Sequence, residues 1–139
     1  MRKLLNEAFV RKYSDVLDSD VVGEVFESGK KVLYFKPRAA IDQIKSDDLT
    51  VRVVVAWNYR LENESGMPSP QILGAMTEFN NSLLSTIPSR KFQFIYSRIG
   101  NGVGELGYYV ANQKDFSEKL ILRSVKSTSH PNSIDFFGD

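Results

Sequence analysis

The sequence predicts one α+β domain, and three observations carry that expectation. Short runs of β-branched and aromatic residues recur along the chain, punctuated by Gly-containing turns. Two stretches show helical spacing together with helix start signals. The composition is that of an ordinary globular protein, 42% hydrophobic and 25% charged in 139 residues, enough chain to bury one core without cross-links.

The elements follow in order. Residues 2–18 predict an amphipathic helix, since Leu5, Phe9, Tyr13, Val16 and Leu17 recur at helical spacing with charges between them. Two β-like runs follow, Val21–Phe26 and Lys31–Phe35, joined by Glu27-Ser28-Gly29-Lys30 as a hairpin turn. Pro37 ends the second run, because proline cannot donate to a ladder. Residues 39–49 read as a short helix or a loop anchored by Ile41 and Ile44.

Thr50–Tyr59 is the clearest strand. Val51, Val53, Val54 and Val55 are β-branched, Trp57 and Tyr59 continue the run, and apolar residues on both faces suit a central strand. Residues 61–69 are polar, with Gly66 and Pro68, and predict a loop. Ser69-Pro70 opens a helix: serine caps the free N–H groups and proline suits the first turn. Its stripe is Ile72, Met76, Phe79, Leu83 and Ile87, and Pro88 stops it.

Lys91–Ile99 predicts a strand in which Phe92, Phe94 and Tyr96 alternate against Gln93 and Ser97. Gly100-Asn101-Gly102 turns the chain, and Leu106, Tyr108 and Val110 mark the return strand. Asp115-Phe116-Ser117-Glu118 has the form of a capping box with Asp115 as the cap, opening a helix through Leu120, Ile121 and Val125. Ser133–Phe137 predicts a short last strand.

From residue 50 the order is strand, helix, strand, strand, helix, strand, which is the split βαβ pattern. The expectation is therefore a ferredoxin-like antiparallel sheet with two helices on one face. Residues 1–139 form a single domain in this reading. Residues 50–139 are its ferredoxin-like core, and residues 1–49 are a helix and β-hairpin extension that widens the sheet or covers its other face.

Three stretches of the second half carry a family resemblance. The first is Trp57-Asn58-Tyr59, followed by Gly66-Met67-Pro68 before the long helix. The second is Ser97-Arg98-Ile99-Gly100 leading to Gly104-Glu105-Leu106-Gly107-Tyr108-Tyr109. The third is His130-Pro131-Asn132 with Phe136-Phe137. Over residues 50–139 the chain resembles a bacterial domain family of unknown function, related to domains of the regulator of ribonuclease E activity B type. It departs from that pattern at Leu106, where the family has Trp, and at His130 and Ser133, in place of Asp and Trp. The resemblance implies a ferredoxin-like fold and an inhibitor that acts by binding a protein. It implies no catalytic residue.

Composition narrows the function classes. There is no cysteine, so disulfides, thiolate metal sites and a cysteine nucleophile are excluded. Lys+Arg is 18 against 17 for Asp+Glu, without the basic excess usual in a nucleic-acid binder. The apolar run Val53–Trp57 falls far short of the ~18 residues of a membrane span. The start, Met1 to Leu5, is interrupted by Asn6 and Glu7 before a secretory core can form. A cytoplasmic protein with no membrane contact is expected.

No motif supplies a catalytic set or a cofactor site. Gly100-Asn101-Gly102-Val103-Gly104 could cradle phosphate only if it opened a helix, and here it joins two strands. His130, the one histidine, lies in a proline turn, where a general base lacks fixed geometry. A small hydrolase centred on His130 is the weakest reading. Asp47-Asp48 and Glu62 with Glu64 fall in loops and read as solvated charge rather than a metal site.

Aromatic residues remain. Trp57, Tyr59, Phe94, Tyr96, Tyr108 and Tyr109 fall on three strands, with Arg52, Arg60, Arg90, Lys91 and Arg98 nearby. Such residues fill a core, build a protein interface or stack RNA bases. The expected interaction surface is Trp57, Tyr59, Tyr96, Arg98 and Tyr108, or the acidic set Asp47, Asp48, Glu62 and Glu64 acting as a phosphate mimic. The expected function is a non-catalytic protein-binding module, an inhibitor or immunity-type protein against a nuclease or toxin. An RNA-binding sheet is the alternative.

Overall fold

The computed structural model describes residues 11–38, 49–60, 66–87, 91–124 and 131–138. Residues 2–10 of the helix expected over 2–18, Ile41 and Ile44, both acidic pairs and His130 lie outside them. The fold is α+β, with one six-stranded antiparallel sheet.

Residues 11–16 are helical. There follow β1 (Ser19–Glu27), β2 (Lys30–Pro37), β3 (Val51–Asn58), α1 (Pro70–Thr86), β4 (Phe92–Gly100), β5 (Val103–Val110), α2 (Gln113–Ser124) and β6 (Ser133–Phe137). The sheet order is β1-β2-β4-β5-β3-β6. The hairpin β1-β2 thus extends the sheet beside β4, and β3 lies inside it between β5 and β6.

Both hairpin turns have the chemistry read from the sequence. Ser28 and Gly29 adopt φ of 52° and 76°, and Asn101 and Gly102 adopt 51° and 84°. Two successive left-handed residues give a turn whose twist matches its strands. The pairs Glu27↔Lys30 and Gly100↔Val103 close the two turns.

One face of the sheet is the core. Val53, Val55 and Trp57 of β3 stand opposite Tyr108, Leu106 and Gly104 of β5, and Phe35 and Leu33 of β2 extend this face beyond β4. Both helices pack here. Phe79 of α1 meets Trp57 edge-on at 5.4 Å between ring centroids, and Phe116 of α2 lies 6.2 Å from both Tyr108 and Phe136. Tyr13, from the helical residues before β1, packs on Phe35 at 4.5 Å. Arg38 ties the same corner, bonding Asp20 at 2.9 Å and Asp15 at 3.1 Å.

Local signals fix the helix starts. Ser69 accepts the Ile72 N–H at 3.3 Å, with Pro70 first in α1. In α2 the expected cap is corrected. Asn112, not Asp115, accepts the N–H of the residue three ahead, at 3.0 Å. Asp115 falls inside the first turn, where its charge favours the positive helix end.

A second correction concerns β4. Phe92 and Phe94 point to the core, but the register slips between Phe94 and Tyr96. Such a bulge inserts one residue and reverses the facing of all that follow. Ser97 and Ile99 take the core positions, and Tyr96 and Arg98 turn to the other face.

Candidate protein-interaction face

The sheet face opposite the helices carries the candidate site. Residues directly opposite across an antiparallel pair share a face. Tyr34 stands opposite Arg98, Arg98 opposite Glu105, and Tyr96 opposite Gly107. Tyr109 stands between Gln93 and Arg52, and Arg52 stands between Tyr109 and Phe137. No helix among the described residues packs on this face through a ring contact.

These side chains hold one another. The Tyr96 ring covers Gly107, where a Cβ would overlap it, and the Tyr96 hydroxyl donates to Glu105. Burial, reinforced by that carboxylate, raises the Tyr96 pKa above its ordinary value, so the hydroxyl stays protonated. Arg98 donates to Glu27 at 3.2 Å and lies 5.8 Å from the Tyr34 ring centroid. Its side chain is only 16% exposed, so this ion pair is less screened than a surface one. The Arg52 guanidinium lies 4.6 Å over Phe137, a cation–π contact at the β3-β6 end. The face thus offers ring area with alternating guanidinium and carboxylate groups.

The structure divides the aromatic and arginine residues singled out from the sequence. Tyr96 and Arg98 belong to this face. Trp57 and Tyr108 do not: they are 2% and 0% exposed, in the core beneath the helices. The cause is strand alternation, which groups Val53, Val55 and Trp57, and likewise Leu106, Tyr108 and Val110. The Tyr108 hydroxyl is spent inside, donating to the buried Asn80 at 2.8 Å. Tyr59 lies just past β3, half-buried, with its hydroxyl on the Gly66 carbonyl at 2.6 Å. Burial pushes its pKa up to about 12. Asp47, Asp48, Glu62 and Glu64 lie outside the described residues.

Tyr34, Tyr109, Phe137 and Glu105 complete the face and were missed as site residues. A signal for Tyr109 existed: the apolar alternation Leu106–Tyr108–Val110 already sends Tyr109 to the opposite side. No such signal marks Tyr34, which joins the face only because β2 pairs with β4 across a long sequence separation.

No group of three or more His, Asp or Glu able to hold a metal occurs among the described residues. No helix among them is long and apolar enough to cross a membrane. Comparison with known proteins returns no matching family model, no similar curated protein and no similar solved structure.

Proposed function

We propose that the chain is a non-catalytic protein-binding module that engages its partner through the helix-free face of the sheet. One observation carries this reading. A single sheet buries one face under helices and leaves, on the other, Tyr34, Tyr96, Tyr109, Phe137, Arg52 and Arg98. Tyr and Arg are the residues enriched where proteins meet, because they combine area with directional bonding.

The strand order β6-β3-β5-β4, with α1 and α2 as the crossing helices, supports a ferredoxin-like core for this module. The sequence resemblance to the regulator of ribonuclease E activity B type supports an inhibitor or regulator of a nuclease, or an immunity-type protein against a toxin. A cytoplasmic location follows from the same reading.

RNA binding is the second reading, favoured by the partly exposed tyrosine rings, Phe137 and Arg52 of this face. Charge favours the first reading. Arg98 is matched by Glu27, Glu105 and Asp135 alternate with the arginines, and the whole chain carries only +1. A backbone of phosphates needs unmatched cations.

The test is capture of the tagged protein from its native lysate, with and without ribonuclease, followed by mass spectrometry. One stoichiometric protein that survives ribonuclease is expected. Recovery of RNA, or of proteins lost after ribonuclease, would replace this reading with the second.

A further inference from the structure

Among the described residues, β1 is an edge strand, paired only with β2. Four of the seven exposed large hydrophobic residues described lie on it: Val21, Val22, Val25 and Phe26, with Phe26 66% exposed. Edge strands normally carry lysine, proline or a bulge that blocks pairing with another chain. β1 contains neither lysine nor proline. It has one register shift, between Val21 and Gly23, and beyond it the pairing is regular as far as Glu27.

We propose that this regular segment, Gly23–Glu27, pairs antiparallel with the same segment of a second copy of the chain, about a two-fold axis at Val25. The shift at one end and the Ser28-Gly29 turn at the other delimit the segment, and Val25 is its centre. Reversed on itself about Val25, it places Val25 against Val25, Glu24 against Phe26 and Gly23 against Glu27. No like charges then face each other. Centring on Glu24 would instead oppose two carboxylates, which destabilises a strand pair.

Glu24 and Glu27 are already matched within their own chain, by Lys31 at 3.7 Å and Arg98 at 3.2 Å. They therefore bring little net charge to the seam. An axis perpendicular to the sheet keeps the helices of both copies on one side. The two helix-free faces become one continuous surface, although the dimer does not depend on what that surface binds.

The contact is short beside a standard protein interface of about 1,600 Å², so a dimer of micromolar to sub-millimolar affinity is expected. Sedimentation equilibrium of the full chain from about 1 µM to about 1 mM reads it. Wild type should pass from monomer to dimer across this range. Val25→Lys and Val25→Glu should each stay monomeric, with unchanged circular dichroism and melting because Val25 is exposed. A mixture of the two variants should recover the dimer, since opposite charges then meet at the axis. Three results would overturn the proposal: a wild type monomeric throughout, which would leave the edge to an extended segment of another protein; variants that dimerise like wild type; or a mixture that stays monomeric.

Discussion

The Tyr96 ring lies over Gly107 on the neighbouring strand, so close that a Cβ on Gly107 would come within 2.7 Å of the ring Cζ. The pair joins the β4 bulge to the surface proposed for binding. The bulge turns Tyr96 to the helix-free face, and the missing side chain at Gly107 lets its ring settle against the backbone, with Glu105 holding its hydroxyl.

Gly107→Ala should therefore be costly. The added methyl must displace the ring, at about 1–3 kcal/mol, as overpacking usually costs. Tyr96→Ala removes the obstacle, so the double variant should lose less than the sum of the two single losses. Urea unfolding of the four proteins measures this. Strict additivity would show that ring and glycine do not meet in solution.

The buried hydroxyl of Tyr108 makes a second prediction. Tyr108→Phe keeps the ring packing on Phe94 and Phe116 but leaves the Asn80 side-chain oxygen, in a residue 2% exposed, without this donor. Stability should fall by about 1–3 kcal/mol, the cost of an unmet buried acceptor. Thermal unfolding should show a lower melting temperature with unchanged secondary structure.

High pH should unfold the protein through its tyrosines. Burial raises the pKa of Tyr13, Tyr59 and Tyr96 above the ordinary 10.0, with Tyr59 at about 12. In the unfolded chain these groups release their protons near 10, while the folded chain keeps them. The unfolded state then binds fewer protons, and stability falls as pH rises. It should be complete below about pH 10 and decline from there through about pH 12. Urea midpoints across this range, followed together with tyrosinate absorbance, test it. Full tyrosinate absorbance, from all six tyrosines, reached near pH 10 without loss of structure would contradict the burial of these hydroxyls.

Much of the fold was legible because its signals are local. Ser28-Gly29 and Asn101-Gly102 dictate their turns, Ser69-Pro70 dictates a helix start, and Val53-Val55-Trp57 dictates a buried strand face. The β4 bulge was not legible, because Phe92, Phe94 and Tyr96 alternate just as an unbroken strand would. Only the pairing with β5 reveals that Tyr96 has changed sides. Asp115 misled as a cap because Asn112, three residues earlier, has the same capping chemistry and takes the site first. The interaction face was half legible. Tyr96 and Arg98 were read from their own strand, but Tyr34 and Phe137 join them only through contacts between strands distant in sequence.

The central claim is that the helix-free face binds a protein, and capture with face variants tests it most directly. Tyr109→Ala with Phe137→Glu alters the face without touching the core, and Leu84→Ser alters an exposed residue of α1 as a control. All three baits, wild type included, should fold alike by circular dichroism. If the face is the binding surface, wild type and Leu84→Ser retain the same ribonuclease-resistant partner and the face variant loses it. Equal recovery by the face variant, or loss only with Leu84→Ser, would contradict the account and move the binding surface to the helical side.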